Sequence, residues 1–187
     1  MNLPEPLLEA IDDILDGHRP GELALATRAL SQRYRAGQPT GSRGTESSDA
    51  LAYAAYRMPA TYAAVHSALV EVRRRQPAFE PETMLDIGAG PGTASWAGTD
   101  VWQSLRDISA IEPSLPMAAL GRRLARTSTV SALRNVRWIE REGLSALRDC
   151  SADLVVAAYV LPDQTYSVPA AAKLVPAGPE TMFHPAG

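Results

Sequence analysis

A chain of 187 residues, 45% hydrophobic and 21% charged, is too short for a large multidomain enzyme and too apolar for a disordered charged tail. Its formal net charge of -3 is not that of a strongly basic, autonomous nucleic-acid binder. The charge is uneven: residues 1–18 carry five acids and no Lys or Arg, residues 19–75 nine Arg against four acids, and residues 119–150 seven Arg against three acids.

From Pro4 to Asp16, Leu7, Leu8, Ile11, Ile14 and Leu15 recur at helical spacing and Gly17 stands at the C-cap position, predicting a short amphipathic helix. A second helix is predicted from Gly21 to Ala36, with Leu23, Ala26, Leu30 and Tyr34 on one face. Residues 37–48 hold no large apolar side chain and read as a mobile connection. Asp49 is the expected N-cap of a helix through Leu51 and Tyr53, which Pro59 should end or kink near Arg57 and Met58. Tyr62, Val65, Leu69 and Val72 form the stripe of the next helix. Arg73, Arg74 and Arg75 close it, either as cations complementing the helix dipole or as a phosphate-contacting patch. The prevalence of arginine, with Lys173 as the sole lysine, has the same two readings: genome composition or bidentate phosphate contact.

After Pro77 and Pro81 the periodicity changes to a β-α-β-α-β-β pattern. Strands are predicted at Thr83 to Ile87, Ile108 to Glu112, Val136 to Glu140 and Asp153 to Ala158, with helices near Thr93 to Leu105 and Ser114 to Arg126. The expected organisation is a helical N-terminal subdomain over 1–80, an α/β subdomain over 81–161 and an irregular Pro-rich tail over 162–187. Trp96, Trp102 and Trp138 are expected in the core and His66 in a structural role.

The segment Met84-Leu85-Asp86-Ile87-Gly88-Ala89-Gly90-Pro91-Gly92-Thr93 carries the chemistry. Gly88, Gly90 and Gly92 between a strand and a helix make a turn whose missing Cβ atoms let a ligand approach the backbone. The GxGxG spacing differs from the GxGxxG of pyrophosphate sites, and Asp86 at the strand end would repel a phosphate and attract a cationic group. S-adenosyl-L-methionine fits, having an ammonium, a sulfonium and no phosphate. Glu112, 24 residues beyond Gly88 and followed by Pro113, stands where α/β nucleotide sites put the carboxylate that takes both ribose hydroxyls. Glu142 after the third strand and Tyr159 after the fourth are further candidates for the same crevice. This spacing and Asp86 disfavour a nicotinamide-dependent oxidoreductase. No Asn-Pro-Pro-Tyr type tetrad for a flipped base follows the fourth strand, a two-Cys mechanism is excluded with Cys150 alone, and no catalytic acid or base is identified.

Cys150 and the scattered His18, His66 and His184 cannot build a disulfide within the chain or a Cys/His metal site. The start Met1 to Glu5 lacks a secretory pattern and no long apolar run occurs. The expectation is a soluble protein of the reducing cytoplasm, without a structural metal, a membrane or DNA as partner.

Leu51 to Tyr62, with its Arg57-Met-Pro-Ala-Thr-Tyr62 element, Leu85 to Ala97, Ile111-Glu-Pro-Ser114 and Leu30 to Arg35 together resemble the ribosomal small-subunit methyltransferase-like family of mitochondrial assembly factors and bacterial homologues. The resemblance covers roughly residues 3–161. It implies a class I S-adenosylmethionine methyltransferase (Rossmann-like) fold with strand order 3-2-1-4-5-7-6, association with the small ribosomal subunit or its rRNA, and a cofactor site at Asp86, Gly88, Gly90 and Glu112. Pro162 to Gly187 departs from the family pattern, so the expectation is a truncated or frame-shifted member with an incomplete sheet, its fourth strand an exposed edge. Two functions follow: an S-adenosylmethionine-dependent methyltransferase of the small subunit, or a non-catalytic assembly or rRNA-binding factor that uses the fold as a scaffold.

Overall fold

The computed structural model describes residues 3–35, 47–140 and 151–159. Pro4, its φ preset at -53°, precedes α1 (Glu5–Leu15), which buries Leu7, Ala10, Ile11 and Ile14; Gly17 follows with φ 83°. After α2 (Pro20–Arg35), the chain resumes in α3 (Ser47–Ala52), a π-helical turn (Tyr53–Arg57) and α4 (Met58–Arg75). Two expectations change here. Asp49 lies inside the first turn of α3 and is buried, because the helix starts at Ser47. Pro59 does not break the rod: Met58 N–H donates to Tyr53 O, five residues back, so the ladder is already widened where proline brings no donor. Apart from Ser47 and Ser48, the connection expected over 37–48 lies outside the described residues, as do Glu142, Cys150 and the whole of 162–187.

The α/β part runs β1 (Thr83–Ile87), α5 (Thr93–Val101), β2 (Asp107–Ile111), α6 (Leu115–Ala125), the short α7 (Ser131–Arg134), β3 (Arg137–Ile139) and β4 (Leu154–Ala157). All pairings are parallel in the order β3-β2-β1-β4, with Ile87 opposite Ile111, Met84 opposite Leu154 and Ile111 opposite Ile139. This is a Rossmann-like α/β sheet, incomplete relative to seven strands among the described residues, preceded by helices. Glu112 stands one residue past β2, α5 stops four residues short of the predicted Leu105, and α7 was not foreseen, its four residues being too few to show periodicity.

Alternate strand residues face opposite ways. Met84, Ile108 and Leu154 join Trp96, Trp102, Leu120 and Leu124 in one core, and the same core takes Leu7, Met58, Tyr62 and Val65 from the N-terminal helices. Leu85, Ile87 and Ile111 form the opposite face with Ile139 and Val155 packed against them. Right-handed crossovers from β1 to β2 to β3 advance in one direction, which places α5 and α6 on one face of the sheet. The return to β4 on the other side of β1 makes the carboxyl ends of β1 and β4 a topological switch point.

The long helix α4 is fastened to α5 by side chains. Tyr62 OH donates to Asp100 Oδ2 at 2.8 Å and His66 Nε2 stands 3.0 Å from the same oxygen. Trp102, fully buried, donates from Nε1 to Phe79 O at 3.1 Å and meets the Phe79 ring edge-on. At the amino end of the sheet Asp153 Oδ2 accepts from Glu82 N at 3.0 Å and from Thr83 N and Oγ1 at 2.9 Å, binding β4 to β1.

Candidate functional site at the glycine turn

Strand β1 delivers Asp86 on the α5 face and then enters a turn in which Gly88, Gly90 and Gly92 all have positive φ, 63°, 56° and 85°. Side chains with a Cβ are strained there, which is why the motif needs glycine at alternate positions. Ala89 N–H donates to Ile111 O at 3.0 Å and Gly92 N–H to Ala89 O at 2.8 Å, so the turn is tied to the end of β2 and closed on itself. Gly92 is the left-handed cap from which α5 starts. A Cβ placed on Gly90 would meet nothing within 4 Å, so the turn opens onto free space at its crest.

Two carboxylates flank it. Asp86, 1% exposed, accepts at Oδ2 from Ser95 N at 3.0 Å and Ser95 Oγ at 2.8 Å. Burial pushes its carboxyl up to about 6; the Ser95 bonds oppose that rise and the nearby Glu112 adds to it. Glu112, 8% exposed, accepts from Gly90 N at 2.7 Å through Oε2 and from Ser114 N at 2.8 Å through Oε1. Burial raises its carboxyl too, against the pull of these two backbone donors. Pro113 is half-buried beside it, and Ser114 caps α6 by accepting from Met117 N at 3.4 Å. Thr93, first residue of α5, has a buried hydroxyl with no partner; among the described residues only His66 Nδ1 shares that condition.

Asp86, Gly88, Ala89, Gly90, Gly92, Glu112 and Pro113 are therefore brought together at the carboxyl ends of β1 and β2. Tyr159 stands past β4 with φ 60° and is 71% exposed. Glu142 lies outside the described residues. Sequence reasoning passed over Ser95, whose only signal is a hydroxyl in the first turn of a helix buried nearly all round, and Ser114, legible as an N-cap. Trp138, expected in the core, is instead half-buried against Gly121 and Gly92, because β3 sets it beside α6 and the glycine turn and apart from Trp96 and Trp102.

The Arg run takes neither role in full. Arg74 and Arg75 both donate to Glu71, and the Arg73 guanidinium donates to Val101 O, capping the end of α5 and not its own helix. These pairs are largely exposed and add little stability individually. Among the described residues no group of His, Cys, Asp and Glu is arranged to hold a metal ion, and no helix is long and apolar enough to cross a membrane.

Residues 47–170 match the family described as "Mitochondrial small ribosomal subunit Rsm22". The match runs past residue 162 into the stretch set apart as tail and begins after α2. The human "Ribosome assembly protein METTL17, mitochondrial" is 34% identical over 113 residues, 59% of this chain and 25% of that protein, so the chain matches about a quarter of its relative's length. Two solved structures overlap in part: a protein described as an O-methyltransferase from Klebsiella pneumoniae (TM-score 0.38, 19% identity, 78% of this chain and 56% of that one) and one from Nostoc punctiforme (TM-score 0.39, 15% identity, 71% and 38%). The fold assignment rests on the strand order and crossovers themselves. The matched family and the human relative are both described as mitochondrial, which overturns the cytoplasmic expectation: a lone cysteine and the lack of a long apolar run do not distinguish one reducing compartment from another. By the extent of the family match, the chain belongs to the mitochondrial small ribosomal subunit Rsm22 family.

Proposed function

We propose that the chain binds S-adenosylmethionine at the glycine turn and serves the small ribosomal subunit as a methyltransferase-family protein. The observation that carries this reading is the pair of buried carboxylates, Asp86 and Glu112, on either side of a left-handed glycine turn at the switch point of a parallel sheet. Carboxylates accept hydrogen bonds and attract cations, so this donor-poor pair suits an ammonium and ribose hydroxyls and would repel a pyrophosphate. Each Glu112 oxygen keeps a second lone pair beyond its bond to Gly90 or Ser114 for a hydroxyl donor. The open crest at Gly90 gives the ligand its approach, and the unpartnered Thr93 hydroxyl is a polar group left over by the protein's own bonding.

When bound, S-adenosylmethionine supplies an electrophilic methyl on sulfonium. The chain's part would be to hold and orient: Asp86 at the cationic end, Glu112 at the ribose, and Gly88, Ala89, Gly90 and Gly92 through their backbone. Pro113, Glu142 and Tyr159 remain candidates for the rim of the site. No side chain is assigned a proton-transfer role.

A second reading draws on the human relative's description as an assembly protein: a non-catalytic factor for the small subunit or its rRNA, with the Arg-rich region 19–75 as its contact surface. Since Arg74 and Arg75 are partly neutralised by Glu71, a phosphate contact there would have to displace that pairing. Calorimetric titration with S-adenosylmethionine separates the two. Binding that Gly90→Arg abolishes supports the cofactor reading, no binding to the wild type leaves the scaffold, and binding of NAD instead overturns the ligand assignment.

A further inference from the structure

Trp138 stands on β3, on the α6 face of the sheet, and the far edge of its indole fills the gap left by Gly121 in the middle of α6. A Cβ built on Gly121 would lie 2.2 Å from Trp138 Cη2, 2.5 Å from Cζ2 and 3.1 Å from the carbonyl carbon of Pro91. Real Cβ atoms do not come that close, so any larger residue at 121 must move the indole or the glycine turn. The same indole edge reaches the turn itself, 3.5 Å from where a Cβ on Gly92 would stand. Helix α6, the indole and the Pro91–Gly92 corner are thus stacked one on another.

The ring is also covered on one face. Arg122 Cζ is 5.7 Å from the ring centroid, a cation–π distance, and the Arg122 guanidinium pairs with Glu140, two residues along from Trp138. An indole has only two side-chain torsions, so a ring seated this way transmits position with little play. The turn needs such help. Three glycines with positive φ within five residues give it more conformational freedom to lose than any ordinary turn, and its crest has no side chain to pack. A ligand that had to order the turn would bind more weakly by the fraction of time the turn is in the right shape.

We propose that Trp138, seated against Gly121 and held by Arg122, is a positioning residue that fixes the Pro91–Gly92 corner and so pre-orders the backbone that receives S-adenosylmethionine. The inference deepens the cofactor reading and rests on it for the ligand, though not for the brace. Its signal in sequence is slight, a glycine inside a helix and a tryptophan one strand later, and nothing in the glycine motif points to either.

The test compares amide hydrogen exchange in the ligand-free full chain with calorimetric titration by S-adenosylhomocysteine, for wild type, Trp138→Ala, Trp138→Phe and Gly121→Ala. In Trp138→Ala, the amides of Ala89, Gly90, Gly92 and Thr93 should exchange about tenfold faster relative to those of Leu85 and Ile87, and affinity should fall by a similar factor. A purely structural loss would move the strand and turn amides together, so an unchanged ratio overturns the brace. Should Trp138→Ala not fold, Gly121→Ala answers the question in two backgrounds. Its destabilisation should shrink when Trp138→Phe shortens the ring, and an equal penalty in both backgrounds overturns the seating. Loosening of the turn in a protein whose wild type binds no ligand keeps the brace and overturns the cofactor reading; wild-type binding with an unmoved exchange ratio overturns the brace alone.

Discussion

The two ends of the sheet use the same chemical group to opposite effect. At the amino end, Asp153 and Asp100 are carboxylates in contact with water that collect protein donors: Glu82 and Thr83 for the first, Tyr62 and His66 for the second. Their donors hold Asp153 below the usual carboxylate range, and its ionised form stabilises the pairing of β4 with β1. At the carboxyl end, Asp86 and Glu112 collect donors too, Ser95 for one and Gly90 with Ser114 for the other, yet both titrate above their ordinary range because burial outweighs the bonds. Hydrogen bonds of like length therefore do not decide the sign; access to water does. An acid kept buried against its own preference to ionise, beside a turn open at its crest, is in keeping with the binding role proposed for the carboxyl end, whereas the acids of the amino end tie elements of the fold together.

The largest effect expected from this contrast is on ligand binding. Gly90→Arg puts a bulky cation on a residue with φ 56° at the crest between two carboxylates, and titration should detect no S-adenosylmethionine binding while the far-UV spectrum stays close to wild type. Gly92→Ala tests the same turn by strain alone. At φ 85° an L-residue costs roughly 1–2 kcal/mol, which denaturant unfolding should read directly.

At the other end, Tyr62→Phe removes the donor to Asp100 without changing the ring. It should destabilise the protein by about 1–2 kcal/mol, with no change in ligand affinity. A loss of affinity equal to that of a turn variant would mean that the two ends are coupled. Burial and the Asp100 carboxylate both push the Tyr62 hydroxyl up, so this bond persists across the neutral range.

The pH dependence separates the ends more subtly. Asp86, near 6 when folded and about 3.9 when unfolded, binds its proton more tightly in the native state, so its contribution is full below about pH 4 and is lost as pH rises toward 6. Glu112 acts in the same direction. Asp153, lowered in the native state, acts oppositely: its contribution is full above the unfolded value and is lost as pH falls below it. Asp86→Asn should flatten the fall in stability between about pH 4 and 6, seen in urea midpoints. A cationic ligand favours ionised Asp86, so wild-type affinity should rise several-fold from pH 5.5 to 7.5, with proton release near pH 6; a pH-independent affinity would place the cation elsewhere.

Much of the carboxyl end is legible in the sequence because its determinants are local. Asp86 and three glycines lie within seven residues, and Glu112 ends the next apolar strand. The order of the four strands is the one the family resemblance implies, not one the local pattern dictates. What holds the turn in place is not local. Ser95 is hidden in a helix buried on almost every side, Gly121 reads as an ordinary weak helix residue, and Trp138 differs from Trp96 and Trp102 only in which elements its strand brings near. The Arg57-Met-Pro-Ala-Thr-Tyr62 element was legible as a signature but not as structure: that Pro59 follows a π-helical turn and that Tyr62 faces Asp100, 38 residues later, are properties of tertiary packing.

The attachment of β4 through Asp153 has a consequence for how the protein assembles. β1 meets β2 across a connection of one helix, but Thr83 and Asp153 are 70 residues apart, and closing that separation demands the largest loss of chain entropy in the sheet. The Asp153 bonds should therefore form after the barrier to folding has been crossed, with β1, β2 and the α4–α5 junction as the nucleus. In a chevron experiment, Asp153→Ala should speed unfolding and leave the refolding rate near that of the wild type, while a core truncation in α5 such as Val101→Ala should slow refolding. The last strand to dock would then also be the first to leave, and the glycine turn would lose one wall of its crevice before the rest of the sheet comes apart.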